Sequence, residues 1–519
     1  MKEIIVKKYS IKQLWKKCEE GLFAIPEIQR EFVWDIRKAC TLLDSIYRQL
    51  PIGSLLIWQT KAERRNLLRH AQKILPEFNY QNRNIWFLID GQQRLSVLYR
   101  ARKGGIVLNY NDKEVDFDHL CFSFDERFDT RFIKIRRPIP KLHIPLIDVF
   151  SDNWRYKLRH LSNKKFQEII KMRKILSYYE VPVILVSTND LDEVRESFLR
   201  INSGGLRISS ADRAFTRASR LKLRHLVNEL RSNLPKGFNE IDRGTLQFAA
   251  ALILGIRDVG GRPIESALAK IEEKEIQDGK VSIKFGRKWK EISECIKKSV
   301  DYLCTEIGLP NFDFLPSENM LATLAFFFYA NNRAQPLPIQ KRELRKWFWA
   351  TAVAARYAGK GYRKNILSDI EYFKKLGRNR KGRFSFSDPV ALTELKRTEY
   401  TTSSGLSKAF FLLLINRGPR YLETGSRIPI GEVASPANRK DKHHIFPRTL
   451  LNRYGFNMKQ ANSLCNLCYV VAQENQSIGN KKPVTYLSSY KRRKHFAGVI
   501  PSSTVAGKRI LDSLMILMG

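Results

Sequence analysis

The sequence predicts an α+β multi-domain protein: an α+β region over residues 1–215, a helical middle over 216–400, and a smaller α+β region over 401–519. Three observations predict it. Short β-rich runs alternate with helical stretches in the first region, the apolar period becomes helical in the second, and short strands with polar loops return in the third. A length of 519 residues suits about three domains, and 43% hydrophobic content supplies their cores.

In the first region IWFLI (85–89) and VPVILVS (181–187) read as strands, because they are short, apolar and rich in branched side chains. RKACTLLDSIYRQL (37–50) and LDEVRESFLRI (191–201) repeat apolar residues at helical spacing. The middle region continues that spacing in LKLRHLVNELRSNL, TLQFAAALILGI, WKEISECIKKSVDYLCTEI and LRKWFWATAVAARYA, with Gly and Pro mostly at the junctions. GRNRKGRFSFSD (377–388) is polar and basic and fits a loop or hinge. No internal repeat or low-complexity segment is present.

Charge narrows the function classes. Lys and Arg total 92 against 52 Asp and Glu, a net +40. A field of that sign attracts polyanions, so nucleic acid is the first candidate partner and an anionic membrane surface the second. Residues 401–519 carry 18 basic against 5 acidic side chains, which places part of the nucleic-acid surface there. Aromatic content of 11% excludes a disordered basic tail. Seven scattered cysteines do not form a disulfide framework, so a reducing, cytoplasmic location is expected. The N-terminus has no apolar core of signal-peptide length, and runs such as AFFLLLI (409–415) and LATLAFFFYA (321–330) fall short of a bilayer span.

The C-terminal region holds a pair of adjacent histidines, His443 and His444, in DKHHIFP (441–447). Neighbouring side chains on a strand face opposite ways, so one imidazole could ligate a metal while the other serves a different reactant. Asn466 in LCNLCYVV and Asn475 in AQENQSIGNKKP follow at intervals that admit a strand, a turn, a second strand and a helix. Phosphodiester hydrolysis at one metal needs a hard cation, an imidazole to deprotonate water and a partner fixing that imidazole. The alternative for an isolated HH pair is a solvated loop. Cys465 and Cys468 are either half of a structural zinc site or core-facing residues; with no second close pair, the core-facing reading is preferred. KRRK (491–494) with His495 is a phosphate-contact patch or a solvated face.

These residues resemble the ββα-metal, or HNH, nuclease motif. The resemblance implies His443 as first metal ligand, His444 as general base, Asn466 as the loop-buttressing middle residue and Asn475 as the closing metal ligand. It also implies phosphate contacts from Asn480 and Lys481. His443 stands where many relatives carry Asp or Glu, which leaves Mg²⁺ and Mn²⁺ both open.

Three polar clusters interrupt the first region: IPEIQREFVW (25–34), LIDGQQRLSVLYRA (88–101) and FLRINSGGLRISSADRA (198–214). In the second, an apolar strand runs into Asp90-Gly91-Gln92-Gln93-Arg94 and then a helix-compatible run. Glycine at such a turn lets backbone approach an anion, and Arg30 and Arg94 offer fork-shaped donors. Asn202 to Gly205 form a loop able to close over a ligand, or a helix C-cap. No Walker A motif is present.

Together the three boxes resemble the N-terminal domain of GmrSD-type restriction endonucleases, a relative of the ParB/sulfiredoxin fold. The resemblance implies a nucleoside triphosphate pocket of Gln29, Arg30, Asp90, Gly91, Gln92, Gln93, Arg94, Arg200, Asn202 and Gly205. RKWFWATAVAARYAGKGYRKN (345–365) is similar to middle segments of that family. The joint implication is a cytoplasmic, nucleotide- and metal-dependent DNA endonuclease of restriction or anti-phage defence type, acting on DNA that includes modified phage DNA. A homodimer that cuts both strands is open. The competing classes are a nucleotide-gated DNA clamp with an inactive HNH module and an RNA-directed nuclease toxin.

Overall fold

The structure, a computed structural model, describes residues 3–29, 31–61, 67–68, 74–109, 113–125, 127–201, 209–258, 260–277, 280–359, 361–379, 384, 397–433, 443–483 and 485–486. The chain divides into two units, Met1–Arg224 with Leu268–Gly279, and His225–Ala267 with Lys280–Gly519. No helix among the described residues is long and apolar enough to cross a membrane.

The first unit opens with β1 (Glu3–Ser10), α1 (Ile11–Glu19), β2 (Phe23–Ala24), α2 (Ile36–Tyr47), β3 (Leu55–Lys61), β4 (Asn84–Asp90) and α3 (Gln92–Lys103). Ser10 ends β1 and caps α1: its hydroxyl accepts from Gln13 N while Gln13 Oε1 accepts from Ser10 N. Two small sheets follow, β5 (Ile106–Leu108) with β6 (Glu114–Asp116), and β7 (Leu120–Ser123) between β8 (Phe132–Lys134) and β9 (His143–Pro145). The helices α4 (Leu146–Val149), α5 (Trp154–Lys157) and α6 (Asn163–Tyr178) lead to β10 (Glu180–Ser187), then α7 (Leu191–Ile201) and α8 (Ser210–Arg217).

The main sheet has the order β1-β10-β3-β4-β2 and is mixed. β10 runs parallel to β3 and antiparallel to β1, and β3 antiparallel to β4. Alternation assigns its two faces. Leu55, Ile57, Trp86, Leu88, Val183 and Leu185 enter the larger core with α1, α2 and α6, whereas Leu56, Trp58, Ile85, Phe87 and Ile89 pack against Leu191, Val194 and Phe198 of α7. With both faces covered, the central strands read as continuous apolar runs.

In the second unit the helix Glu318–Ala330 contacts the helices Arg243–Ile253, Ile283–Thr305 and Tyr362–Asn379. Met320 to Phe328 are buried all round, as an apolar helix with no polar face requires. The RKWFW and ARYAG segments meet at one buried carboxylate. Asp369 accepts from Trp347 Nε1 at 2.9 Å, Tyr357 OH at 2.6 Å and Arg356 Nη2 at 2.7 Å. Burial raises its pKa against the pull of these donors.

Candidate functional site

β4 ends on Asp90, and Gly91 turns the chain into α3 with φ of +86°. A Cβ here would meet Leu55 Cδ2 at 2.3 Å, so dihedral and space both demand glycine. Gly91 also gives α3 no side-chain cap.

Side chains from the first two polar clusters lock this turn. Gln29 is buried, and its Nε2 donates to Leu88 O at 3.0 Å and to Ile89 O. Gln93 answers from the helix: Oε1 accepts from Val33 N at 2.9 Å and Trp34 N at 3.3 Å, and Nε2 donates to Glu31 O at 3.3 Å. Arg94 donates to Ile52 O at 3.2 Å, Ser54 O at 2.7 Å and Asp90 Oδ2 at 2.8 Å. Its guanidinium therefore ties the 52–54 loop to the turn. Gln92 is buried in the first turn of α3. Arg200 stands exposed on α7, where its Nε donates to Glu196 at 2.8 Å. Arg30, Asn202 and Gly205 lie outside the described residues.

The third cluster joins the first through groups that the sequence reading did not single out. Thr216 Oγ1 donates to Ile28 O at 2.9 Å. Arg224 Nη1 donates to Glu31 Oε2 at 3.3 Å and Asp212 Oδ1 at 2.6 Å, and its guanidinium lies 4.8 Å from the Phe215 ring centre. Behind them Arg195 Nη2 donates to Glu272 Oε1 at 2.6 Å, and Glu272 Oε2 accepts from Arg220 N. Burial raises the Glu272 pKa. Glu31 and Asp212 sit inside the quoted clusters, but nothing local marks Arg224 or Glu272 as their partners.

In the second unit His443 and His444 form a two-residue strand antiparallel to Leu467–Cys468, with the helix Ala472–Ile478 following. The two imidazoles have different partners, as opposite strand faces require. His443 is 3% exposed; its Nδ1 lies 2.7 Å from Asn475 Oδ1 and its Nε2 3.3 Å from Tyr486 OH. His444 is half-buried, with Nε2 3.1 Å from Asn462 Oδ1. Burial lowers both pKa values against the hydrogen bonds that His443 makes with Asn475 and His444 with Asn462, and the proximity of a second ionisable imidazole at His443 and of Arg448 at His444 adds to the lowering.

Hydrogen-bond direction fixes the tautomers of neutral rings. Tyr486 OH donates to Ile445 O at 2.8 Å, so His443 Nε2–H donates to the tyrosine oxygen and Nδ1 presents a lone pair to Asn475. Two acceptors then face each other at 2.7 Å. Either a carboxamide turned to donate its NH₂ or a cation shared by both lone pairs relieves that contact. His444 donates Nε2–H to Asn462, which leaves its Nδ1 basic.

Asn466 fastens the loop after the histidines. Its Oδ1 accepts from Phe446 N at 2.8 Å, and its Nδ2 donates to Phe446 O at 3.0 Å and Ala461 O at 2.9 Å. Glu474 fixes the Ala472–Ile478 helix by accepting from Leu422 N and Glu423 N. Asn466→Ala is expected to lower stability by roughly 2–3 kcal/mol, because buried backbone groups lose their partners; denaturant unfolding checks this, and a loss below about 0.5 kcal/mol would contradict it.

Residues 11–218 match the family model "GmrSD restriction endonuclease, N-terminal domain". The match supports the GmrSD-type assignment of the N-terminal region, and the matched span contains all three polar clusters. An uncharacterized protein of Methanocaldococcus jannaschii is 24% identical over 532 aligned residues, covering 91% of this chain and 85% of that relative. Likeness to that protein extends well beyond residues 11–218.

The remaining sequence candidates divide plainly. Cys468 is partly buried against Leu422, Val470, Ile478 and Tyr486, and burial pushes its thiol up to about 12. All seven cysteines are free, and no group of three or more His, Cys, Asp or Glu able to hold a metal occurs among the described residues. Asn480 and Lys481 are exposed just after the Ala472–Ile478 helix, with Lys481 Nζ donating to Ser477 O at 3.0 Å. The 491–494 patch and His495 lie outside the described residues. Asn462 and Tyr486, which contact the histidines, and Glu474, which anchors the helix carrying Asn475, are residues that sequence reading missed, since each acts through a fold contact rather than a motif position.

Proposed function

We propose that the chain is a nucleotide-regulated, metal-dependent DNA endonuclease of restriction type, with its hydrolytic centre at His443, His444, Asn466 and Asn475. The observation that supports this reading is the contact of His443 Nδ1 with Asn475 Oδ1 at 2.7 Å, beside a second, separately held imidazole.

The donor set fits a divalent cation. His443 and Asn475 would hold it, with water and phosphate oxygens completing a shell of the kind Mg²⁺ or Mn²⁺ accepts. When bound, such an ion stabilises the charge that develops on the phosphate. The chain's own residues do the rest. His444, neutral and oriented by Asn462, takes a proton from water at Nδ1. Asn466 holds the loop that carries the histidines, and Glu474 anchors the helix that carries Asn475. The net charge of +40 supplies the non-specific attraction that brings DNA to the site.

The N-terminal unit provides the regulatory part of this reading: a nucleoside triphosphate at the Asp90–Arg94 turn shifts an equilibrium that cleavage reads. Modified DNA is the sensed substrate. The decisive experiment is digestion of unmodified and modified phage DNA, with labelled RNA alongside, in Mg²⁺ or Mn²⁺, with and without each triphosphate. Unchanged DNA in every combination sinks the proposal.

Arg94→Ala tests the coupling. It removes three bonds that join the 52–54 loop to the turn, so the effect of triphosphate on the cleavage rate is expected to shrink at least fivefold while divalent binding at the histidine site stays unchanged. Equal nucleotide dependence in variant and wild type would remove the coupling.

A further inference from the structure

A second cleft opens in the first unit between α1, α3, α5 and α6, with a cavity volume of about 540 Å³. That lies within the range of roughly 300–1,000 Å³ typical of ligand sites. None of Gln29, Asp90, Gln93 or Arg94 lines it, so it is separate from the turn described above.

Its chemistry is one-sided. Six cationic side chains line the cleft against two acidic ones, Glu19 and Asp152. The centre is Arg173, half-buried, donating to Val149 O and lying 4.8 Å from the Trp154 ring centre and 5.5 Å from that of Phe150. Burial lowers its pKa, and Arg102 and Arg155 lower it further. Arg155 lies 5.4 Å from the same Trp154 ring; Arg102 lies 5.2 Å from Trp15 and is bonded to Glu19 at 3.0 Å. Three guanidiniums directed at one cavity repel each other, and an anion between them removes that cost.

Aromatic surface accompanies the charge. Trp154 is held rigid by stacking on Phe166 at 5.6 Å and 14°. Tyr178 is 59% exposed at the end of α6, with Lys12 Nζ 5.9 Å from its ring centre. An open aromatic face beside a basic groove is the arrangement that takes unpaired bases, because every base has a π face and every linkage a phosphate.

We infer that this cleft binds a single-stranded segment of DNA, with phosphates among Arg102, Arg155 and Arg173 and a base on Tyr178. The inference rests on DNA being the ligand of the protein, as proposed above, and adds where an unpaired strand is held. A free nucleotide is the less suited occupant, since Tyr178, 59% exposed at the end of α6, offers its ring to a base at the open edge of the cleft and away from its half-buried centre at Arg173.

The test uses the full chain in EDTA, so that binding is read apart from cutting, with fluorescence anisotropy of a labelled 20-nucleotide oligo(dT), a labelled duplex and a fluorescent ATP. The exposed pair R155E/K174E should weaken oligo(dT) binding at least tenfold, whereas the equally charged control K284E/K290E, on the other unit, should change it less than threefold. Tyr178→Ala, which alters no charge, should weaken oligo(dT) at least fivefold and duplex less than twofold. Unchanged oligo(dT) binding by Tyr178→Ala, an equal loss in the control, or a loss confined to ATP would each overturn the assignment. A protein that never cuts DNA yet shows the predicted binding losses would sink the hydrolytic proposal and leave the cleft standing.

Discussion

His444→Ala is expected to lower DNA cleavage by roughly 10²–10⁴-fold, the usual contribution of a positioned acid–base group, while DNA affinity stays within about threefold. The two outcomes separate because the ring is neutral. Burial and the nearby Arg448 both oppose its protonation, so removing it deletes a proton acceptor and not a surface cation. The partner imidazole supplies the contrast: His443→Ala should also stop cleavage, but by removing a donor from the divalent site, and titration calorimetry with Mn²⁺ would show that loss in His443→Ala and not in His444→Ala. Asn462→Ala should cleave at a rate between those of wild type and His444→Ala, since the tautomer of His444 loses its anchor while the ring remains. Cleavage persisting at wild-type rate in His444→Ala would exclude it as the base.

What could be read from the sequence was local in origin. IWFLI and VPVILVS lie within β4 and β10, RKACTLLDSIYRQL covers all of α2 but its first residue, and LDEVRESFLRI coincides with α7, because period and branching act over a few residues. The strands β5 to β9 were invisible: three or four residues carry too little pattern. The His443–His444 strand is shorter still and was legible only through its motif. Groups joined across long separations were missed. Asp369 gathers Trp347, Tyr357 and Arg356, which explains the two middle segments singled out from sequence, yet nothing around Asp369 announces it. The basic cleft is assembled from residues as far apart as Lys12 and Tyr178, so it has no sequence signature.

Arg224→Met carries the largest expected stability effect, a loss of about 3–5 kcal/mol. Arg224 is 2% exposed and lies within 3.3 Å of carboxylate oxygens on both Glu31 and Asp212. Methionine fills the volume but withdraws the cation from two acidic groups that are themselves buried, Glu31 at 8% and Asp212 at 5% exposed. The penalty arises from those charges, not from lost packing. The triple variant E31Q/D212N/R224M should therefore recover at least half of the loss, although it removes more polar groups. Denaturant unfolding of the single and triple variants decides between the two origins: a triple variant as unstable as the single would assign the cost to shape. The same substitution reaches the Asp90–Arg94 turn, because Glu31 O accepts from Gln93 while Glu31 Oε2 accepts from Arg224. Any triphosphate response of cleavage should accordingly weaken in Arg224→Met at temperatures where the chain is still folded, and return with the triple variant.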